Sequence, residues 1–243
     1  MLEEIKKFYE KTKFKFGELQ KLPKGIEVPL NWIRVFYKTY PRFPKIELKI
    51  PEKETEFSKL LKKRVSRRDF KDCPINFEDI ERILYLSSGL KSSDNENLQP
   101  KRFYPSAGAR YPIEVYLLAN NIEGLSKGLY HYNVKSNTLE EILKKDLSGK
   151  SIRLFGQDIS KGNPNFIILT GVMSRSEVKY GLNAYRFGLI ESGHIGQNIY
   201  LLSEEQRLGC CAIGGFDNEL TTKLLDLSDD EIPLYVFALG KTN

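Results

Sequence analysis

Residues 183–206, NAYRFGLIESGHIGQNIYLLSEEQ, form the longest helical pattern in the chain, and Gly188, Ser192 and Gly196 recur every four residues on one face of it, with Ala184 one step earlier. Glycine inside a helix costs about 1 kcal/mol against alanine, so Gly188, Gly193 and Gly196 together cost about 3 kcal/mol. A helix that carries this cost must recover it by close approach to a neighbour. The neighbour is either the rest of the same subunit or a second copy across a dimer axis.

The remaining patterns alternate between strand and helix. IEVYLLA, GLYHYN, NFIILTGVM, CCAIGGF and PLYVFALGK read as strands, with Tyr130 and Tyr132 sharing a face, and NVKSNTLEEI reads as a hairpin turn with its return strand. Residues 1–12 suit a short amphipathic helix. A second helix follows Thr55, turns Leu60 and Leu61 inward and ends near Arg64. A third starts from Asn76 as N-cap, with Ile80, Ile83, Leu84 and Leu86 at helical spacing, and stops at Gly89. The order is irregular, which predicts an α+β fold around one central sheet. Residues 91–101 are polar and turn-like. Residues 1–50 read as an N-terminal arm before a domain of residues 51–243. Prolines at 29, 41, 44 and 51 bar long helices there, and KIELKI alternates like an edge strand. Such an arm has to lie on its own domain or on a partner subunit.

Several function classes drop out. No apolar run approaches the ~18 residues of a membrane span, and the charged N-terminus lacks the apolar core of a secretory signal. A cytoplasmic location is expected. Two of the three cysteines are adjacent and the two histidines are far apart, so no metal site is expected. The net charge is +6, but lysines are mixed with glutamates and no basic stripe carries interleaved aromatics, which argues against nucleic acid.

Four short segments could carry chemistry. In KRVSRRDF, Arg64, Ser66 and Arg68 alternate and would project to one side of an extended chain, as a phosphate requires; a plain basic loop is the alternative. Pro105, Ser106, Ala107 and Gly108 have no bulky side chain, so a flat ligand could lie against their backbone; a tight turn before a strand is the alternative. Gly214 and Gly215 offer backbone donors after a strand. Lys179 beside Tyr180 could favour the phenolate and make it a base, provided both reach one site from a loop or helix start.

Together and in this order, RVSRRDF, YPSAGARYPIEVYLL, GLYHYN, KYGLNAYRFGLIESGHIGQN, AIGGFD and LYVFALGK resemble the nitroreductase superfamily of flavoproteins, and within it the SagB-type dehydrogenase branch of thiazole/oxazole (azoline) oxidases. The resemblance implies a four- to five-stranded, mostly antiparallel sheet flanked by helices, and FMN bound at a homodimer interface. It implies that Arg64, Ser66 and Arg68 hold the FMN phosphate and pyrimidine edge, and that Pro105, Ser106, Ala107 and Gly108 lie beside the flavin. Gly214 and Gly215 would be donors near its N5, and Lys179 and Tyr180 the catalytic pair; Lys241 is a further candidate phosphate contact. The implied reaction is two-electron dehydrogenation of a small-molecule or peptide-borne heterocycle. An NAD(P)H-dependent nitro or quinone reductase and a flavin-less partner-binding scaffold are the alternatives.

Overall fold

A computed structural model describes residues 1–14, 35–91, 100–155 and 161–242. Its centre is one six-stranded sheet, antiparallel throughout, in the order β3-β2-β1-β4-β6-β5. The strands are β1 (Ile113–Ala119), β2 (Gly128–Asn133), β3 (Thr138–Leu143), β4 (Asn165–Val172), β5 (Gly209–Ile213) and β6 (Glu231–Gly240). The α+β class holds, with one or two strands more than the resemblance implies.

The inner strands are apolar on both sides because helices cover both faces. Val115, Leu117, Ile167, Leu169, Phe237 and Leu239 face α3 (Phe77–Ser88) and α6 (Asn183–Glu205), meeting Ile80, Ile83, Leu84, Ile195 and Ile199. Leu118, Phe166, Ile168, Val236 and Ala238 alternate to the other face and meet Phe155 of α4 (Ser151–Phe155) and Leu225 of α7 (Asn218–Leu225). The glycine face of α6 packs inside its own subunit: a Cβ on Gly196 would come within 2.5 Å of the Phe237 ring, and one on Gly188 within 3.2 Å of Met173 Cε. Gly193 points to open space.

The N-terminal region divides. Helix α1 (Glu3–Thr12) docks through Ile5 and Tyr9, and Phe14 exchanges hydrogen bonds with Asn218. Residues 35–50 are exposed: KIELKI forms no strand, and Ile46, Leu48 and Ile50 are 88–90 % exposed. Alternation marks an edge strand only where a sheet edge is within reach, and none is here. Residues 15–34 of the arm and 92–99 of the 91–101 loop lie outside the described residues. Helix α2 (Glu56–Lys63) follows, closed at its start by a capping box between Thr55 and Ser58. Among the described residues no helix is long and apolar enough to cross a membrane.

Candidate active site

The sheet brings two of the sequence segments to one end. Ile113 at the start of β1 pairs with Gly171 near the end of β4, and Gly171 pairs with Ile232 of β6. The segment entering β1 therefore meets the segment leaving β4, which is α5 (Ser174–Tyr180).

Residues 105–110 form a narrow ledge after the buried Tyr104, with a single 3-10 turn at Ala107–Ala109. Two of its residues, Gly108 (φ +58°) and Ala109 (φ +52°), are left-handed, as is Tyr111 (φ +47°) just beyond it. For a non-glycine residue that conformation costs about 1–2 kcal/mol, so the surroundings must enforce it. The Tyr111 N–H donates to Ser106 Oγ at 2.9 Å, Tyr111 Oη accepts the Arg102 N–H at 3.2 Å, and Arg110 Nε donates to the Arg175 carbonyl at 2.7 Å. The Ala107 N–H donates to Glu191 Oε1 of α6 at 3.1 Å. Arg110 thus ties the ledge to α5.

Lys179 and Tyr180 stand directly over this ledge. A Cβ on Gly108 would strike the Tyr180 hydroxyl and lie 2.8 Å from Lys179 Nζ. Neighbours on a helix point about 100° apart, yet both reach one spot because Tyr180 is the last residue of α5 and Gly181 (φ +53°) breaks the helix there. The Tyr180 ring rests edge-on against Phe187 of α6, with centroids 5.0 Å apart, and Lys179 Nζ is 5.4 Å from the Tyr180 centroid.

The arginine segment lies three strand positions away, along β5. The Arg67 N–H donates to the Cys210 carbonyl at 3.0 Å. Ser66 Oγ is 2.9 Å from Tyr200 Oη, which accepts the Ala212 N–H at 2.7 Å, and the Arg64 guanidinium sits 5.3 Å from the Tyr200 ring centroid. Arg68 reaches back to the Ser66 carbonyl at 3.4 Å; with Ser66, Arg67, Asp69 and Thr242 it lines a cavity of about 490 Å³. Arg67 is neutralised by Glu204, whereas neither Arg64 nor Arg68 forms an ion pair among the described residues. Burial raises the pKa of the Cys211 thiol, with the Arg68 charge pulling against it. Gly214 and Gly215 follow β5 directly; Gly214 is exposed and a Cβ there would touch nothing. Lys241 stands apart from this cavity. Its carbonyl accepts the Lys71 N–H at 2.8 Å, and its charge acts on Asp79 at the start of α3.

Two clusters result, both anchored on α6: the ledge with Lys179 and Tyr180, and the arginine cavity; Gly214 and Gly215 leave β5 at the end away from Cys210 and line neither. Sequence reasoning missed the anchors Glu191 and Tyr200, and Thr242 at the cavity. Glu191 did leave a signal, a carboxylate three residues after Gly188 and four before Ile195, on the helix's buried side.

An antiparallel sheet clad by helices, with Lys179 and Tyr180 over Gly108, is the α+β frame, and the family relationship makes it that of an oxidoreductase. The chain belongs to the nitroreductase family, whose family model matches residues 61–241. A protein of Methanocaldococcus jannaschii named as a nitroreductase, MJ1384, is 27% identical over 199 residues, covering 81% of this chain and 96% of that one. The microcin B17-processing protein McbC of Escherichia coli is 31% identical over 150 residues, which are 59% of this chain and 55% of McbC, so the match spans about half of that relative. Among solved structures, the E. coli microcin synthetase McbBCD complex with truncated pro-MccB17 bound contains a chain that superposes with a TM-score of 0.75 at 24% identity, covering 100% of this chain and 95% of that chain.

Proposed function

We propose that this oxidoreductase binds FMN and catalyses SagB-type dehydrogenation, taking a thiazoline- or oxazoline-like ring to its aromatic form. The observation that carries the reading is the convergence of Tyr180 Oη and Lys179 Nζ on Gly108. The match to McbC, a microcin B17-processing protein, supports it.

The residues fit the cofactor's chemistry. Arg68, which forms no ion pair among the described residues, would hold a phosphate beside Ser66 in the cavity that Asp69 and Thr242 also line, while Arg64 lies over the Tyr200 ring. Gly214, exposed and with nothing within reach of a Cβ, leaves backbone uncovered for a flat ring system, while Lys179 and Tyr180 already stand over Gly108. FMN, when bound, supplies a two-electron acceptor for the hydride that leaves a substrate carbon. Tyr180 takes the proton from the neighbouring ring atom, so the substrate loses one hydride and one proton and gains a C=C or C=N bond. For this Tyr180 has to act as its phenolate, whose charge the Lys179 ammonium would balance before the proton arrives.

The two clusters lie three strand positions apart across the sheet and toward opposite ends of it, since Cys210 aligns through Leu239 with Asn165 at the start of β4, and Ile113 with Gly171 near its end. A homodimer offers a way to close one site from both: the ledge of one subunit facing the arginine cavity of the other. The exposed Leu182, Leu189 and Ile190 and the exposed Ile46, Leu48 and Ile50 support such a dimer.

Tyr180→Phe tests the mechanism. Bound flavin should be retained and turnover should fall by about a hundredfold, the usual worth of a general base; unchanged turnover with full flavin would remove Tyr180 from the chemistry. The match to MJ1384 over most of both chains favours a second reading, NAD(P)H-driven nitro or quinone reduction. Rapid anaerobic bleaching of the flavin by NAD(P)H would select it.

A further inference from the structure

Glu191 sits in the middle of α6 on the side that packs inward, and it is 2 % exposed. Its Oε1 accepts the Ala107 N–H at 3.1 Å, while its Oε2 is buried and has no hydrogen-bond partner among the described residues. The nearby guanidinium, Arg102, is already turned to Tyr104 Oη at 3.4 Å and the Ile113 carbonyl at 3.2 Å. An unpaired buried carboxylate is expensive, and an apolar side chain of the same size would fill this place without the cost. Burial raises the Glu191 pKa against the pull of Ser106, the Ala107 amide and Arg102, which favours the neutral acid. A polar group kept at such a position has to be useful where it touches, and it touches the backbone of the ledge next to Gly108.

We propose that Glu191 is a positioning residue of the active site: from inside α6 its carboxyl group fixes the Ala107 amide and so keeps Gly108 left-handed beneath the Tyr180 hydroxyl and the Lys179 ammonium. The proposal rests on the assignment of that pair to catalysis made above. Glu191 touches neither substrate nor cofactor in this role; it determines where the ledge is. The geometry makes the acceptor oxygen the essential feature and the acidic proton dispensable, so glutamine should do what glutamate does and leucine should not.

The test compares Glu191→Gln with Glu191→Leu by hydrogen–deuterium exchange over residues 104–112 and by steady-state kinetics. In the leucine variant the ledge amides should exchange about tenfold faster than in the wild type, which corresponds to about 1.4 kcal/mol of lost local protection. Its kcat should fall about tenfold with KM nearly unchanged, because the misplaced pair acts on the transition state and not on binding. Glutamine should restore slow exchange and most of the lost turnover. If leucine will not fold, Glu191→Asp, one methylene shorter, should reproduce the fast exchange. Unaltered exchange in the leucine variant would overturn the proposal. So would fast exchange in the glutamine variant, or fast ledge exchange with kcat unchanged. Exchange is read without turnover, so it decides the hold on the ledge separately from Tyr180→Phe, whose normal turnover would instead remove the proton-transfer assignment.

Discussion

Gly108 has two reasons to be glycine, a φ of +58° and the Tyr180 and Lys179 head groups packed where a Cβ would stand. Both obstacles are the flexible ends of side chains, so Gly108→Ala should fold, losing about 1–2 kcal/mol to the left-handed conformation, while displacing the pair. Turnover should drop about tenfold or more, and thermal melting with steady-state kinetics separates the two effects. His131 gives a pH signature elsewhere on the sheet. Its Nε2 lies 2.9 Å from Glu114 and its Nδ1 2.9 Å from Glu140. The Glu114 bond raises its pKa, burial opposes this, and Glu140 adds to the rise. The pairing should stabilise the fold fully below the ordinary imidazole value of about 6.5 and fade as pH climbs through the raised folded value. Glu114 works in the opposite direction: burial opposes ionisation, but His131 and Arg175 outweigh it and lower its pKa. Its contribution holds above the ordinary carboxylate range and disappears in acid. His131→Gln should therefore cost about 1 kcal/mol near pH 6 in urea titrations and progressively less in alkali. The sequence exposed residue types better than conformations. A small-residue ledge can be read from Pro105 to Gly108, but nothing in Ala109 or Tyr111 announces a left-handed backbone, because bonds from Arg102, Ser106 and Arg175 impose it. Lys241 and Thr242 are neighbours, and Thr242 is the one that lines the cavity.

Helix α6 separates its glycines by what faces them. Gly196 meets the Phe237 ring at 2.5 Å, so Gly196→Ala should destabilise by about 1–3 kcal/mol through overpacking. Gly193 faces open space, so Gly193→Ala should stabilise the isolated subunit by about 1 kcal/mol, the helix-propensity gain. Melting curves of the two variants should therefore shift in opposite directions. A four-residue spacing made the close packing legible, yet the same spacing suits a helix pressed on its own sheet or on a twin. Only the register of β6, which puts Phe237 opposite Gly196, decides between them. The same limit explains KIELKI, whose alternation is real but has no sheet edge to join. The glycine-free pattern of α3 was mostly legible, with Ile80, Ile83 and Leu84 buried as their spacing requires and Leu86 only partly so. Its N-cap was legible only as position: Asn76 precedes the helix without a capping side-chain bond.

At the scale of the molecule, the exposed arm and the two separated clusters lead to one expectation. Arg68→Ala and Tyr180→Phe subunits, each inactive alone, should recover about one quarter of wild-type turnover when mixed, because a shared site restores one functional centre in each mixed dimer. No recovery would place each site within one chain. Replacing Ile46, Leu48 and Ile50 by serine should weaken dimerisation in sedimentation while leaving the melting of the subunit nearly unchanged, since these side chains touch little of their own domain. The α+β class followed from the order of strands and helices. The strand order did not, because pairing between distant segments is decided by packing that no local pattern records. β6 is the last strand in the chain and lies between β4 and β5. During synthesis, then, β1 to β4 and the lone β5 emerge first with their inner edges bare, and chaperones would have to shield them until the closing segment has left the ribosome.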